Sequence, residues 1–264
     1  MRYFCVSDIH GFYDELLIAL NEAAFDQNNP EHTLISCGDN FDRGRQPAEV
    51  LNFLLNLPRK ILIRGNHEDL LADACERERS APHDESNGTT QTIWDLSRPF
   101  SEEYKAKYGK HAPAKECFVA VGKLVAPLHK QLINYFETQN YIFVHAWIPV
   151  MTNDGMPYHY LRDRYFSTHP NWRQATPLEW SQARWLNPFA MAKNGFLADK
   201  TIICGHWHCS YGHMLDSIKT DNWLSEFEEN AVWDPYYGSG FIAIDRCTAH
   251  TRKINVLVID DEPL

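Results

Sequence analysis

Side chains that can bind metal ions follow three short apolar runs near the start of the chain. Each run is four residues long and is typical of a buried strand. The side chains that follow the three runs are Asp8 and His10, then Asp39, then Asn66 and His67. Such side chains are poor material for an apolar core. They suit a metal site that also needs a proton donor.

Two later strand-like runs have the same design. Residues 141–144 lead to His145, and residues 201–204 lead to His206 and His208. In an extended chain, residues two positions apart face the same side, so the last two imidazoles are predicted to reach one centre. The same spacing of two occurs in the first motif.

The seven ligand candidates in these motifs combine four imidazoles, two carboxylates and one amide. A pair of divalent ions about 3.5–4 Å apart needs about that many ligands, one of them a bridging carboxylate. Imidazole and carboxylate donors together suit Mn, Fe or Zn better than Ca or Mg. The sequence therefore predicts a centre of two divalent metal ions, with Mn²⁺ as the first choice and Fe or Zn as alternatives.

The elements between the first motifs explain how these side chains would meet. Apolar residues at helical spacing over 14–25 and 47–57 predict a helix after each of the first two strands, and Pro47 suits a first helical turn. Because this alternation requires parallel strands, their carboxyl ends lie at one edge of a sheet. Residues 241–245 and 253–259 are predicted to form an antiparallel pair that closes the fold.

The chain is predicted to form a single catalytic domain over residues 1–264. From about 70 to 139 the strand–helix pattern weakens, and this stretch is predicted to be a mostly helical insertion beside the active site. A separate domain is not favoured, because no linker composition marks either edge. Residues 152–188 are rich in Trp, Tyr, Pro and Arg, so they are predicted to be irregular and to line a pocket.

The composition excludes some classes of protein. At 264 residues, with 44% hydrophobic and 23% charged residues, the chain is typical of a globular protein. A formal net charge of −10 argues against binding nucleic acid, which normally needs a basic face. Seven scattered cysteines without a CxxC pair indicate free thiols in a reducing compartment. No signal peptide or apolar stretch of about 20 residues is present, so a cytoplasmic protein without membrane association is predicted.

The chain resembles the calcineurin-like metallophosphoesterases, and within them the phosphoprotein phosphatase branch of bacterial and phage-type Ser/Thr protein phosphatases. Five motifs carry the resemblance, in the order that the family has. They read DIHG at 8–11, GDNFDRG at 38–44, RGNHE at 64–68, VHA at 144–146 and GHWH at 205–208. One motif alone is a weak signal, but five in order, each on a strand end, are specific. Asn87-Gly88 followed by Thr92 also resembles a stretch common in bacterial members.

The resemblance implies an α/β fold, a four-layer α/β/β/α sandwich of two mixed sheets flanked by helices. It also implies a role for each metal-binding side chain. The implied ligands are Asp8, His10 and His208 for the first metal ion, Asn66, His145 and His206 for the second, and Asp39 as the bridge between both. Protein phosphatase members of the family usually lack a histidine at the position of His208, whereas other metallophosphoesterases have one.

The implied chemistry is the hydrolysis of a phosphate ester. Two metal ions lower the pKa of a bridging water, and the resulting hydroxide would attack phosphorus in line. His67 resembles no ligand and would be the general acid that protonates the leaving oxygen. Asp42 would orient His67, and Arg43 would hold phosphate oxygens through its two-pronged guanidinium.

A second phosphate-binding arginine is expected between the motifs of His145 and His206. The competing residues are Arg162, Arg164, Arg173 and Arg184. Arg184 is nearest to the usual place and is taken as the substrate-binding candidate, although Asn187 stands where bacterial relatives tend to carry the arginine. Trp147 stands where the family usually has glycine, and it is expected to narrow the pocket.

Two further residues and one stretch of the chain remain to be interpreted. Arg64 either stabilises the site or serves only as a structural ion-pair partner. Glu68 is interpreted as a helix-start residue, because a carboxylate there accepts hydrogen bonds from free amides. Residues 223–237 are interpreted as a packed surface loop, with a substrate rim as the alternative.

The favoured function is a metal-dependent phosphatase acting on phosphomonoesters, above all phosphorylated Ser, Thr or Tyr in proteins, with small phosphorylated substrates next. The first alternative is a hydrolase of dinucleoside polyphosphates, whose bases the aromatic residues 147–190 would stack. Phosphodiesterase action is a second alternative, based on His208. A binding module without catalysis is a third alternative, which the intact His67 and Asp42 disfavour.

Overall fold

Two five-stranded sheets form the centre of the protein. The computed structural model describes residues 1–152, 166–220 and 223–264. The strands in these residues are β1 (Arg2–Val6), β2 (His32–Ser36), β3 (Lys60–Ile63), β4 (Leu132–Ile133), β5 (Phe136–Glu137), β6 (Tyr141–Phe143), β7 (Val150–Thr152), β8 (Phe166–Thr168), β9 (Thr201–Cys204), β10 (Tyr236–Gly238), β11 (Phe241–Ala243) and β12 (Leu257–Asp260). The first sheet has the order β12-β1-β2-β3-β4 and the second has the order β10-β11-β9-β6-β5.

In the described residues, helices lie in the longer connections between these strands. They are α1 (Tyr13–Glu22), α2 (Pro47–Asn56), α3 (Asn66–Arg77), α4 (Pro82–Asn87), α5 (Thr89–Tyr108), α6 (Ala114–His129), α7 (Pro177–Ala183), α8 (Pro188–Lys193), α9 (Cys209–Lys219) and α10 (Thr248–Thr251). The stretch 70–139, predicted to be a helical insertion, contains most of α3, all of α4 to α6, and the short strands β4 and β5. No helix in the described residues is long and apolar enough to cross a membrane.

Parallel pairing aligns the strand ends that carry the motifs. In the first sheet β1, β2, β3 and β4 are parallel neighbours, and β12 is antiparallel to β1. Val6 pairs with Ser36, and Ser36 pairs with Leu62, so β1, β2 and β3 end level. In the second sheet β6 and β9 are parallel, and Phe143 pairs with Ile203. The residues that follow these strands therefore emerge at corresponding edges of both sheets.

Three apolar clusters define four layers. A central cluster that includes Cys5, Ile35 and Ile203 draws on strands of both sheets. A second cluster packs the outer face of the first sheet against helices, with Leu54 of α2 and Phe118 of α6 among its members. A third cluster packs the outer face of the second sheet against α7 to α9. The predicted α/β/β/α sandwich of two mixed sheets flanked by helices is confirmed.

The predicted antiparallel pair at the end of the chain is wrong. β11 lies in the second sheet, parallel to β9 and antiparallel to β10, whereas β12 lies in the first sheet beside β1. Between β11 and β12, α10 is bounded by Cys247 and Arg252, which both adopt left-handed backbone conformations with φ of 55°. This segment carries the chain from one sheet to the other, so the two strands cannot pair with each other.

Candidate metal centre

The loops after β1 and β2 run side by side and hold each other through backbone hydrogen bonds. The amide of Asp8 donates to the carbonyl of Gly38 at 3.1 Å, and the amide of His10 donates to the carbonyl of Asp39 at 2.9 Å. These bonds continue the parallel pairing past the end of the strands. The side chains of both loops are therefore positioned as one unit.

Four of the predicted ligands have left-handed backbone conformations. The φ angles are 52° for Asp8, 51° for His10, 56° for Asp39 and 66° for His206. A non-glycine residue in this region costs on the order of 1–3 kcal/mol, and such residues cluster at functional sites. The turns direct these side chains toward one point instead of alternating them across the strand.

Asp39 joins two groups of potential metal donors. One group consists of His10, Asp39 and His67, and the other consists of Asp39, His145 and His206, with the donor atoms of each group within 4.8 Å of one another. The Oδ2 atom of Asp39 lies 3.4 Å from Nε2 of His145 and 4.0 Å from Nε2 of His10. A carboxylate shared by two donor groups is the arrangement that a bridging ligand requires.

Asp8 and Asn66 lie at the two ends of this arrangement. The Oδ1 atom of Asp8 is 3.8 Å from Nε2 of His10, while its Oδ2 atom accepts hydrogen bonds from the amide of His206 at 2.9 Å and from the hydroxyl of Ser7. Oδ1 of Asn66 lies 2.8 Å from Nε2 of His145. The structure thus brings together six of the seven predicted ligands: Asp8, His10, Asp39, Asn66, His145 and His206.

His208, the seventh predicted ligand, does not lie in either donor group. Its Nε2 atom is 2.6 Å from Oε1 of Glu226, and its ring packs against Phe227 at a centroid distance of 4.8 Å. The expectation that His206 and His208 face the same side assumed an extended chain. The positive φ of His206 breaks that alternation, and His208 then occupies the N-cap position of α9 without a side-chain hydrogen bond to the helix.

Backbone carbonyls fix which nitrogen of two histidines points into the centre. Nδ1 of His10 donates to the carbonyl of Phe41, and Nδ1 of His145 donates to the carbonyl of Cys37, both at 2.8 Å. Each bond leaves Nε2 facing the centre. Metal-binding histidines are usually held by a second hydrogen bond of this kind.

The buried carboxylate and imidazole groups of the centre stabilise each other's charged forms. Burial opposes ionisation of Asp39, but His145 and His67 outweigh it and hold the pKa of the Asp39 carboxyl well below its usual range. Burial would lower the pKa of His145, but Asp39 and Asp8 outweigh it and raise that pKa to about 9. A buried carboxylate that stays charged beside imidazole nitrogens fits divalent metal ions well.

His67 is held in a different way from the ligand candidates. Its Nδ1 atom lies 2.7 Å from Oδ2 of Asp42, and its Nε2 atom lies 3.3 Å from Nη2 of Arg43. Burial would lower the pKa of His67, but Asp39 and Asp42 outweigh it and raise the pKa above its ordinary value. A buried imidazole with this raised pKa can hold a proton beside the donor groups.

Arg43 reaches over the same centre. Its Nη1 atom is 2.7 Å from Nε2 of His10, on the side opposite to the bond that His10 makes with the backbone. The guanidinium therefore spans His10 and His67.

Glu68 has a larger role than its sequence position indicated. Its side chain accepts a hydrogen bond from the amide of Gly65 at 2.7 Å, as the predicted helix-start role requires. It also accepts bonds from the backbone amides of Asp39 and Asn40 at 3.0 and 2.8 Å, and from the side-chain amide of Asn40 at 3.1 Å. The buried carboxylate of Glu68 thus connects the start of α3 to the loop that carries Asp39, the candidate bridging ligand.

Two threonines of α5 also contact the site, although Thr92 was quoted above only as part of the resemblance and Thr89 was not singled out. Oγ1 of Thr89 donates to Oδ2 of Asp42 at 2.7 Å, and the amide of Asp42 donates to Oγ1 of Thr92 at 3.0 Å. The two threonines are three positions apart in the sequence, and in a helix this spacing places both hydroxyls on one face. The structure adds the partner, which lies 47 to 50 residues away.

The arginine candidates for substrate binding have different surroundings. Arg184 is buried, and its guanidinium contacts Asp69 at 2.7 Å and Asn134 at 3.0 Å. Arg173 is paired with Glu137 and Asp199, and residues 162 and 164 lie outside the described residues. Arg64 also pairs with Asp69, at 3.2 Å.

A cavity of about 670 Å³ lies beside these ion pairs. It is lined by Arg64, Leu132, Ile133, Asn134, Tyr135, Pro177 and Arg184. Arg64, one of the residues that line the cavity, lies two positions before Asn66 in the chain. Trp147 is buried and packs edge-on against Phe241, so it contributes to the core of the second sheet.

Comparison with known proteins shows similarity in sequence to two kinds of bacterial phosphatase. Serine/threonine-protein phosphatase 2 of Salmonella typhimurium is 45% identical over 73 residues, which are 28% of this chain and 32% of that protein. The symmetrical bis(5'-nucleosyl)-tetraphosphatase of Proteus mirabilis is 37% identical over 89 residues, which are 33% of this chain and 32% of that protein. The matched segments therefore span about a third of the length of these curated relatives.

A similar fold and a family model extend the likeness along the chain. A solved cold-active protein tyrosine phosphatase superposes with a TM-score of 0.50 at 14% identity, covering 98% of this chain and 73% of that one, and so shares its fold. The family model described as calcineurin-like phosphoesterase matches residues 1–231. That match includes every donor residue described above, and the chain belongs to the calcineurin-like phosphoesterase family.

Proposed function

We propose that the chain is a metal-dependent phosphatase that hydrolyses phosphomonoesters, with the whole of residues 1–264 as one catalytic domain. One observation carries the proposal: the imidazole of His67, bonded to Asp42, lies within 4.8 Å of the donor atoms of His10 and Asp39. A proton donor beside two donor groups that share a carboxylate is the minimum set for metal-assisted hydrolysis of a phosphate ester.

Six residues would hold two divalent metal ions. They are Asp8 and His10 for one ion, Asn66, His145 and His206 for the other, and Asp39 between them. When bound, the metal ions would polarise the phosphate group and make a deprotonated water available near neutral pH. Mn²⁺ is the first choice for this mixture of imidazole and carboxylate donors, ahead of Fe or Zn.

The side chains of the protein would perform the remaining steps. Arg43 would bind two phosphate oxygens through its fork and orient the phosphorus for attack. His67 would donate the proton on Nε2 to the leaving oxygen, because its other nitrogen is engaged by Asp42. Asp42 would keep the imidazole in the correct tautomer and favour its protonated form.

The favoured substrate is a protein phosphorylated on Ser or Thr, or on Tyr. Support comes from the resemblance of the motifs to the phosphoprotein phosphatase branch and from the 45% identity to the Salmonella enzyme over 73 residues. The partner would then be a phosphorylated protein, and a cytoplasmic location stays a prediction from the sequence.

A dinucleoside polyphosphate is the second candidate substrate, and it is supported to a similar degree. The Proteus relative is named for such a substrate. The cavity lined by Arg64, Arg184 and Tyr135 adds a structural reason. Two guanidinium groups would bind further phosphates, Arg184 acting as the substrate-binding residue predicted from the sequence, and the tyrosine ring would stack on a base.

Steady-state kinetics would test the proposal. The Mn-loaded wild type, His67→Asn and the control His213→Asn are compared on an aryl phosphate, a phosphopeptide and a dinucleoside tetraphosphate. The control removes an imidazole that contacts the carbonyl of Asp234 and the ring of Tyr236 and belongs to neither donor group. We expect His67→Asn to lose on the order of 10²–10⁴ in kcat, the usual contribution of a general acid.

The substrate that the wild type prefers decides between the candidates. Preference for the phosphopeptide supports a protein phosphatase, and preference for the tetraphosphate moves the assignment to nucleotide hydrolysis on the same centre. Failure of the Mn-loaded protein to hydrolyse any of the three substrates would overturn the proposed function.

A further inference from the structure

We propose that Thr89 is a positioning residue for the acid pair formed by Asp42 and His67, an inference that rests on the proposed function. Oδ2 of Asp42 receives two hydrogen bonds, one from Nδ1 of His67 and one from the hydroxyl of Thr89, each 2.7 Å long. All three side chains are buried. The threonine therefore acts on the same oxygen that would orient the proton donor.

The hydroxyl of Thr89 restrains a carboxylate that has few other restraints. Oδ1 of Asp42 has no hydrogen-bond partner among the described residues. The χ2 torsion angle of an aspartate is only weakly restricted. If Oδ2 of Asp42 bonded only to His67, the carboxylate would be free to rotate and the imidazole ring would turn with it. A second donor in a fixed position removes that freedom and sets the direction in which Nε2 of His67 points.

The backbone of the same loop is held by the same helix. The amide of Asp42 donates to Oγ1 of Thr92 at 3.0 Å, one helical turn after Thr89. Asp42 and Arg43 have φ of 73° and 64°, so the loop adopts a left-handed conformation that other contacts must maintain. The start of α5 thus holds both the backbone and the carboxylate of the acid pair.

The test uses two aryl phosphates that differ in their leaving groups. A general acid matters most when the leaving oxygen is strongly basic, as in phenyl phosphate, and least when it is weakly basic, as in 4-nitrophenyl phosphate. We expect Thr89→Val to lower kcat roughly tenfold on phenyl phosphate and about twofold or less on 4-nitrophenyl phosphate, a part of the full effect of an acid. We expect Thr89→Ser, which keeps the hydroxyl, to restore most of the rate.

Two controls separate positioning from general damage. Thr90→Val removes the neighbouring hydroxyl, which donates to Oγ of Ser80 at 3.0 Å and not to Asp42, so it should leave the ratio of the two rates unchanged. Mn²⁺ affinity, measured by calorimetry, should stay within about twofold in Thr89→Val, because in the described residues the hydroxyl of Thr89 donates to Asp42, which is not a ligand candidate. If Thr89→Val does not fold, Thr89→Ala takes its place, because it removes the hydroxyl without filling the space.

A double-mutant comparison gives the decisive result. If Thr89 acts through His67, then Thr89→Val should cause no further loss on phenyl phosphate when His67 is already Asn. Equal losses on both aryl phosphates, or a further loss in the His67→Asn protein, would overturn the positioning role. Absence of aryl phosphatase activity in the wild type would instead overturn the proposed function.

Discussion

At the scale of single residues, the buried side chain of Glu68 links two loops that carry ligand candidates. It accepts four hydrogen bonds, from the amides of Gly65, Asp39 and Asn40 and from the side chain of Asn40. Gln in its place would present one NH₂ group that cannot accept. We expect Glu68→Gln to lower the free energy of unfolding by about 1–3 kcal/mol.

The same substitution should weaken metal binding, because the backbone of Asp39 depends on Glu68. We expect the affinity for Mn²⁺ to fall by about 10–100-fold, as for other groups that support ligands. Urea unfolding and calorimetry measure the two effects. Glu229→Gln, at an exposed position, is the matched control. If Glu68→Gln leaves both the free energy of unfolding and the affinity for Mn²⁺ unchanged, the hydrogen bonds of Glu68 stabilise neither the fold nor the site.

Residue types and strand ends were enough to predict that six ligand candidates lie close together, and their role in metal binding stays a prediction. They were not enough for Glu68 or Thr89, because the loop partners of these side chains lie 28 to 47 residues away in the chain. The structure places His208 beside Glu226 and outside both donor groups, because two-residue spacing indicates a shared face only while the backbone is extended. The left-handed conformation of His206 is visible only in the structure.

At the scale of elements, the junction between α4 and α5 packs closely against the loop of Arg43. Gly88 has φ of 91°, and a Cβ atom added there would lie 2.6 Å from the amide nitrogen of Arg43. We expect Gly88→Ala to displace the Arg43 loop, to raise KM for an aryl phosphate and to lower kcat, together costing roughly 10-fold or more in kcat/KM.

Gly109, at the other end of the same helix, provides the control. It also has a positive φ, 66°, but an added Cβ atom there would meet nothing within 4 Å. Both alanine variants therefore suffer the strain of a left-handed residue. Thermal unfolding should show a similar loss of stability in the two variants. Steady-state kinetics should show a loss of activity only in Gly88→Ala. Equal activities of the two variants would contradict the contact between Gly88 and the Arg43 loop.

Helices and strands were largely predictable, whereas some of the strand partners were not. Pro47 begins α2 as its fixed φ favours, and the apolar runs of β1, β2 and β3 became strands. The alternation of apolar residues reports which face of a strand is buried, but not which strand lies beside it. For this reason β11 and β12 were recognised as strands and assigned to each other instead of to two different sheets.

At the scale of the whole molecule, the proposed centre joins the ends of both sheets. Metal ions there would contact residues that follow β1, β2, β6 and β9, as well as Asn66 of α3. A metal ion at 100 times its dissociation constant would stabilise the fold by about 2.7 kcal/mol. We expect Mn²⁺ to raise the unfolding temperature of chelator-treated protein by roughly 5–10 °C.

Asp39→Asn tests the origin of that shift. Because Asp39 belongs to both donor groups, the variant should lose most of the increase with Mn²⁺ in a thermal scan. Asp199→Asn, at an exposed ion pair with Arg173, should keep it. An unfolding temperature that does not respond to chelator or Mn²⁺ in the wild type would contradict a metal centre that spans the two sheets.

The pairing of β1 with β12 has a consequence for how the chain is made. Arg2 and Asp260 form one of their contacts across 258 residues of sequence. At about 5–20 residues per second, a ribosome would deliver β12 roughly 10–50 s after β1. During that time one edge of β1, with Phe4 and Cys5 beside it, lacks its final neighbour and can pair with strands of other nascent chains. The rate of translation and the binding of chaperones to the nascent chain are therefore expected to affect the yield of folded protein more than its free energy of unfolding does.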